Sequence, residues 1–481
     1  MRARSSNSGR REAGFVLLAA AVCFIIAIPL VGLAIDVGIL YMVQSKLQTA
    51  VDAGALAAAR SLSRGNDDAT QQQNAKTTAT AYLNANFPSG YLGASSPTVT
   101  TWAIDESKPN VRSVSLAASV PVPYMFMAWY GGTSTNVVAS ATASRRDVNV
   151  VIVMDRSGSL ANSGSCTPLK NAAVGFVSKF ANGRDNVGLI TFATSSRVDF
   201  SLANNFNTAS PSVSSIITSV TCTGATSSAQ ALWQGYQNLA SLNQPAALNV
   251  ILFFTDGQPT AVTTVLPVST SSSCNNKTTF TGVFTVGFQV AAPYAPVATG
   301  GIMDYNAPAQ PIASDARIIS GSEGDPTGCS FAASWNANWT AAANDIKYVP
   351  TTDIWGNNLN NGYQTVTMAG GGISVPSNST GALNLIAAST NAADSAGARI
   401  RAAAPPGNGA LPLSNIVVFS IGLGNSTYPA NHDLLRRIAN DPGSSSFNSS
   451  TPAGLYVYAP TSADLSNAFS RVASEILRLA K

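Results

Sequence analysis

The sequence predicts an α/β protein: a doubly wound, mostly parallel sheet interrupted by a long β-rich insertion, preceded by an N-terminal transmembrane helix and a small α+β segment. Three observations carry this prediction. Largely apolar runs at Val148–Met154 and Leu248–Phe254, each with one asparagine near its start, end at Asp155 and at Thr255-Asp256-Gly257, and runs of that kind suit strands buried on both faces of a parallel sheet. Helical spacing follows the first run, with Thr167 and Pro168 at the N-terminus and Leu169, Ala172, Ala173, Phe176, Val177 and Phe180 on one face. Residues 14–35 form a span without a formal charge, long enough to cross a bilayer.

The sheet pattern continues with strands predicted at Val187–Ala193, Arg197–Leu202 and Ile416–Ile421, and with a helix at Ala229–Leu239. A helix near Ser389–Ala403, another at Leu434–Ala439 and a strand at Leu455–Tyr458 follow. Thr461 with Asp464 fits a capping box for a last helix lined by Leu465, Ala468, Phe469, Val472 and Ile476. Open α/β sheets bind ligands at the carboxyl ends of their strands, where Asp155 and Asp256 fall. Asp155-x-Ser157-x-Ser159 can aim three oxygens at one point, and Thr226 and Asp256 complete a hard, oxygen-only set. Such a set, with waters filling the remainder, suits Mg²⁺, with Mn²⁺ or Ca²⁺ as alternatives, better than the thiolate and imidazole ligands of zinc.

Asp155-Arg156-Ser157-Gly158-Ser159, the stretch Gly224–Leu232 around Thr226, and Thr255-Asp256-Gly257 resemble, in order and spacing, the metal-ion-dependent adhesion site of von Willebrand factor A (vWA) domains. The resemblance implies that Ser157, Ser159 and Thr226 offer hydroxyls and that Asp155 and Asp256 support the ion. It also implies an open coordination position that accepts a carboxylate from a protein partner. Ser228 stands where the family usually has a second threonine, and Ala225 replaces a common glycine. Neither change removes a ligand oxygen.

At 481 residues the chain is long enough for two or three domains. Only 10% of its residues are charged, which fits an exported, adhesive-type surface. Arg2, Arg4, Arg10 and Arg11 precede the apolar span and account for most of the +4 net charge, so nothing points to nucleic acid. Those arginines place the N-terminus in the cytoplasm and the bulk of the chain in the periplasm or at the surface, with a single pass of the inner membrane. The span is read as an anchor, because a cleaved signal peptide has a shorter apolar region. Gly14-Phe15 is similar to a prepilin cleavage junction, but Ala19 stands where a glutamate is usual, which argues against processing.

Beyond the span the helix is expected to continue, with Leu40, Val43, Leu47, Ala50, Gly54 and Ala57 forming a narrow stripe of mostly small residues that permits close packing. The span together with Asp36, Tyr41, Leu47-Gln48 and Asp52–Ala57 resembles the N-terminal segment of TadE/TadG-like proteins of the Flp (Tad) pilus-assembly system. For Asp36 itself the expected role is that of the first polar residue at the membrane interface. The domain plan is therefore a basic cytoplasmic tail (1–13), the transmembrane helix (14–35) and a helical extension (36–64). A small α+β segment (65–146) follows, then the vWA domain in two parts (147–258 and 389–481) around an insertion (259–388). Within 65–146 a helix near Thr70–Asn84 and strands around Thr98–Ile104, Val111–Val120 and Val137–Ser144 are expected, with Arg145-Arg146 as a solvated junction. The insertion is too long for an ordinary connection. It contains a strand-like stretch at Phe280–Ala291, and its Trp335, Trp339, Tyr348, Trp355 and Tyr363 are expected to form the core of a small β-rich subdomain, with a sugar or protein contact surface as the alternative.

Cys23 lies in the span, which leaves Cys166, Cys222, Cys274 and Cys329 outside the cytoplasm, and an even number there favours two disulfides. Three pairings are possible. On the inferred fold Cys166 and Cys222 both sit near the metal face, so the expected pairs are Cys166 with Cys222 and Cys274 with Cys329. The chain's one histidine, His432, precedes Asp433 at an expected helix start, and no nucleophile elbow, P-loop or H-E-x-x-H helix occurs. The expectation is a non-enzymatic protein that binds an acidic residue of a pilus or Tad-machinery partner through Mg²⁺. Two other readings stay open: an envelope tether whose metal only stiffens the fold, and a divergent hydrolase.

Overall fold

The computed structural model describes residues 9–65, 67–267, 279–288, 296–304, 318–319, 348–376, 378–402, 413, 415–424 and 429–480. These fall into two compact units, one built from residues up to 62 and from 68 to 145, the other from 63 to 67 and from 146 to 480.

In the first unit, helix α1 (Gly9–Ser61) is continuous through Pro29 and carries both the apolar span and the small-residue stripe. From Phe15 to Ile35 its large apolar side chains are exposed, Phe15 at 74% and Leu17 at 75%. Further along, Val43, Leu47, Ala50, Val51 and Ala58 are fully buried. The change follows the sequence: α2 (Asp68–Asn86) packs Ala75, Ala79 and Leu83 into the same core. Gly54 lets them approach, since a Cβ there would lie 2.8 Å from Leu116 Cδ2 and 3.1 Å from the Ala79 carbonyl oxygen. Strands β1 (Thr98–Asp105), β2 (Val111–Pro123) and β3 (Ser134–Arg146) form a sheet in that order. Alternate β2 residues Val114, Leu116, Ala118, Val120 and Val122 face the core. The fully buried Arg112 joins the pieces, donating to Gln71 Oε1 (3.1 Å) and to the Leu62 carbonyl (3.2 Å). Its guanidinium also lies 3.4 Å from Asp68.

The second unit is built on a six-stranded sheet ordered β16-β15-β7-β4-β5-β6, made from β4 (Val148–Asp155), β5 (Asn186–Phe192), β6 (Ser196–Ala203), β7 (Leu248–Thr255), β15 (Val417–Leu423) and β16 (Tyr456–Ala459). Its pairings are parallel except for β6, which runs antiparallel to β5 at the edge. Every residue of β4, β5, β7 and β15 is buried, because alternate side chains enter two different cores. Val150, Ile152 and Met154 pack with α4 (Cys166–Val177), α5 (Val213–Ser219) and α9 (Leu465–Leu479). Val151 and Val153 pack with α6 (Ser228–Leu242), α7 (Ser379–Arg401) and α8 (His432–Ala439). A short helix α3 (Gly158–Asn162) follows β4 directly. Register is fixed at the amino-terminal edge by amides, with Asn149 donating to Asn249 (2.9 Å) and accepting from Asn186 (2.8 Å).

Between β7 and α7, the strands β8 (Ala261–Pro267), β9 (Thr279–Phe288), β10 (Pro296–Asp304) and β11 (Ile318–Ile319) form one small sheet. Strands β12 (Tyr348–Val349), β13 (Met368–Ala369) and β14 (Gly372–Ser374) form another. Val262, Phe284, Val349, Leu359 and Ile373 from this stretch join the same core as Val151 and Val153. The insertion therefore shares a core with the sheet domain. Trp355 and Tyr363 pack against that core, whereas Trp335 and Trp339 lie outside the described residues.

Three local expectations need correction. Helix α7 begins at Ser379, ten residues before the predicted start, because the Asn378 side chain accepts from the Gly381 amide and caps it there. The Arg145-Arg146 pair is solvated at one residue only: Arg145 is buried, whereas Arg146, the last residue of β3, is exposed and donates from its side chain to the Leu479 carbonyl (2.9 Å). Asp36 is 3% exposed, and its carboxylate accepts the backbone amides of Met125 (2.9 Å), Phe126 (3.1 Å) and Met127 (2.7 Å). It is a structural clamp, not a residue facing water. The Thr461 and Asp464 capping box forms as expected.

Candidate metal centre

Parallel pairing brings the carboxyl ends of β4 and β7 to one edge, with Met154 opposite Phe254 and the two acidic residues just beyond. Asp155 is fully buried. Its Oδ1 accepts the Ser157 amide (2.7 Å), which turns the chain sharply, and its Oδ2 accepts the Thr255 hydroxyl from the neighbouring strand end. Ser157 then opens α3 as its N-cap residue, but its hydroxyl makes no capping bond and faces Ser159 Oγ at 3.0 Å. Ser159 donates to Asp256 Oδ1 at 2.6 Å, so residues 97 positions apart meet through side chains. Asp256 is fully buried as well, while Ser159 is only partly so, which places it on the solvent side.

The loop bearing Thr226 is tied to both neighbours by its backbone. Thr223 N–H donates to the Arg156 carbonyl (2.7 Å) and Gly158 N–H to the Gly224 carbonyl (3.0 Å). Thr226 N–H donates to Thr260 Oγ1 (2.9 Å), and Thr260 N–H returns to the Thr226 carbonyl (2.9 Å). Gly224 allows this turn with φ at +90°. A disulfide joins Cys166, the first residue of α4, to Cys222, so the strap ahead of Thr226 is covalently held beside the Asp155 loop. Cys274 and Cys329 lie outside the described residues.

The chemistry of these donors fits a hard cation. Burial pushes the Asp155 carboxyl up to about 6, against hydrogen bonds from Thr255 and Ser157 and the nearby charge of Arg156. A carboxylate so placed is stabilised by a positive counter-charge. The oxygens around it are hydroxyl and carboxylate, and among the described residues no group of three or more His, Cys, Asp or Glu side chains forms an alternative centre. Ser228, at the first position of α6, keeps a buried hydroxyl with no hydrogen-bond partner. Asp155, Ser157, Ser159 and Asp256 would hold the ion, with Thr226 carried on the adjoining loop.

Residues 149–315 match the von Willebrand factor type A domain family, and residues 14–61 match the Flp pilus-assembly TadE/G-like family. The chain carries a vWA domain behind a TadE/G-like segment. No curated protein matches it. Among solved structures, the PilB minor pilin from Streptococcus sanguinis is 16% identical, covering 80% of this chain and 79% of that one, with a TM-score of 0.36. The open conformation of the pilus adhesin SpaC from Lactobacillus rhamnosus GG is 13% identical over 80% of this chain and 36% of its own, with a TM-score of 0.37. The vWF domain of the type V pili tip protein Mfa5 from Porphyromonas gingivalis is 14% identical over 70% and 98%, with a TM-score of 0.37. The identities are too low to carry function across.

Two residues of the vWA site were not singled out by sequence reasoning. Thr255 orients Asp155 and also accepts the Gly257 amide (3.2 Å), while Thr260 fixes the Thr226 backbone. Thr255 lies inside the Thr-Asp-Gly motif and could have been read as the orienting hydroxyl; Thr260 has no sequence signal. His432 is the first residue of α8, with Nδ1 facing the Tyr456 hydroxyl. The cap of that helix is Asn431, whose side chain accepts from Leu434 N–H (3.0 Å).

Proposed function

We propose that this chain is a membrane-anchored, extracytoplasmic vWA protein of Tad/Flp pilus assembly or adhesion, binding an acidic residue of a protein partner through Mg²⁺ held at the Asp155 edge. The observation that carries this reading is the hydrogen-bonded series Ser157, Ser159 and Asp256 beside the buried Asp155: oxygen donors from two strand ends converge with the partly exposed Ser159 outermost. Bound there, the cation supplies a Lewis-acidic site for a partner's carboxylate. The chain's residues do the rest. Asp155 and Asp256 set the charge, Ser157 and Ser159 present hydroxyls, Thr255 holds Asp155 in place, and the Cys166–Cys222 bridge keeps the Thr226 loop in reach. The long apolar helix supports anchoring: its most apolar window has a mean hydropathy of 2.9 and is 6% buried.

The test immobilises the full chain in detergent and measures retention of pilus-machinery proteins from solubilised membranes in Mg²⁺. The expected result is capture that chelator releases and that Asp155→Ala and Asp256→Ala abolish, with melting temperatures of the variants in chelator close to that of the native chain. Capture unchanged by chelator together with a lower melting temperature would instead favour the envelope tether.

A further inference from the structure

The turn between β2 and β3, residues 124–133, reads Tyr-Met-Phe-Met-Ala-Trp-Tyr-Gly-Gly-Thr and contains no charge. A water-facing turn is ordinarily polar, yet Met125 is 60% exposed, Phe126 42% and Trp129 91%. The turn is not loose. Tyr124 N–H donates to the Thr133 carbonyl (3.2 Å), and Gly132 N–H to the Met127 carbonyl (3.2 Å), closing it around a 3₁₀ turn at Met127–Tyr130. Asp36 accepts three successive amides at its start. Phe126 also fits against Gly32, where an added Cβ would lie 2.7 Å from Phe126 Cβ. The turn is thus fixed to α1 at residues 32–36.

That level matters. Residues 14–35 of a helix rising 1.5 Å per residue span about 33 Å, close to the roughly 30 Å hydrocarbon core of a bilayer. Residues 32–36 are therefore where the helix leaves the hydrocarbon, and at that level Leu33, Ile35 and Val37 expose their side chains. Tryptophan gathers at this boundary, since its ring favours the headgroup region.

We propose that the 124–133 turn is a second membrane contact, inserting Met125 and Trp129 into the outer-facing interface of the phospholipid bilayer that α1 crosses. The inference rests on the reading of α1 as an anchor. Because Asp36 fixes the turn to the helix, the two contacts act together and set the depth of the first unit against the lipid surface. Continuity with the apolar span and the absence of charge favour lipid over a protein partner.

The test reconstitutes the full chain in phosphatidylcholine and phosphatidylglycerol vesicles and compares it with Trp129→Phe, which keeps the aromatic volume. Flotation with the vesicles reports the anchor. The difference in fluorescence between the two chains isolates Trp129, and lipids brominated near the headgroup or near the chain ends report its depth. The expected result is flotation of both chains, with Trp129 emission at least about twofold more quenched by shallow than by deep bromines. Asp36→Asn should float equally but lose most of that quenching. Flotation with Trp129 unquenched by either lipid overturns the proposal and points to a protein partner or a second copy on the turn. Failure of the native chain to float overturns the anchor reading and this inference with it.

Discussion

Two groups of buried acids in the second unit answer the same physical problem differently. On the α7 side, Asp394 is met by a guanidinium of the chain itself: Arg437 donates to both of its oxygens, at 2.8 and 2.9 Å, and Asn361 adds a third donor at 2.8 Å. Nearby, Asp353 accepts from Trp355 N–H, Asn357 N–H and the Asn357 side chain, while Arg399 reaches Asn357 Oδ1 at 2.6 Å. Arg399 and Arg437 are in turn covered by the rings of Trp233 and Tyr363. At the carboxyl edge of β4 and β7, Asp155 is oriented chiefly by a threonine hydroxyl and a serine amide, and Ser159 donates to Asp256. Arg156 contributes the smallest of the effects acting on Asp155. A cluster closed by its own arginines is complete as a piece of structure; one closed by hydroxyls would be stabilised further by the cation proposed above. On that proposal the hydroxyls would leave a coordination sphere that a partner can enter, which guanidinium forks do not.

The largest effect should come from breaking the self-contained cluster. Arg437→Ala leaves the Asp394 carboxylate, 7% exposed, without its bidentate partner, and stranding a buried charge of this kind costs about 3 to 4 kcal/mol. Chemical denaturation should show that loss equally in Mg²⁺ and in chelator. Adding Asp394→Asn to the same chain should restore most of it, since the penalty belongs to the unpaired charge. A loss that depended on Mg²⁺ would mean that the two clusters are coupled and that the contrast drawn between them is wrong.

The next effect reverses the dependence. Mg²⁺ at a hundredfold excess over its dissociation constant should stabilise the native chain by about 2.7 kcal/mol through binding to the folded state alone. Asp155→Ala should abolish that shift while retaining the response of Arg437→Ala, and thermal melts of both variants with Mg²⁺, Ca²⁺ and chelator provide the check. Thr255→Val keeps all five proposed ligand residues and removes only the hydroxyl that orients Asp155, so it should shrink the shift without eliminating it.

These clusters also mark what the sequence could and could not reveal. Asp155 and Asp256 were legible because a strand buried on both faces is apolar throughout, so the first acid after it locates the strand end. The α7 cluster was not, because Asp353, Asn357 and Asn361 belong to turns with no periodicity, and their partner Arg399 lies about forty residues away on a helix whose start was misplaced. The start of α7 was hidden for a related reason: Ser379–Ala388 carries few large apolar residues, and its first turn is fixed by the Asn378 cap, which apolar spacing does not reveal. Asp36 was misread since its partners are backbone amides, which have no sequence signature. In each case the hidden contact is polar and distant in the chain, whereas apolar alternation is local and visible.

The last expected effect uses protons in place of metal. Burial pushes the Asp353 carboxyl up to about 6 from 3.8, against its hydrogen bonds and the charge of Arg399. Between those values the folded chain holds a proton that the unfolded chain has released. The stability this group contributes is thus complete below about pH 4 and is lost as pH rises through about 6, a change on the order of 3 kcal/mol. Asp353→Asn should flatten that slope, read as the difference between variant and native stabilities at each pH in saturating Mg²⁺, which holds the Asp155 edge in one state. Its amide oxygen can still accept the Trp355 and Asn357 backbone amides, but its Nδ2 cannot accept the Asn357 side chain, so the variant should lose on the order of 1 kcal/mol from that contact whatever the pH, while the slope flattens. An unchanged slope would mean that Arg399 neutralises Asp353 fully and that the α7 cluster is as ionic at Asp353 as it is at Asp394.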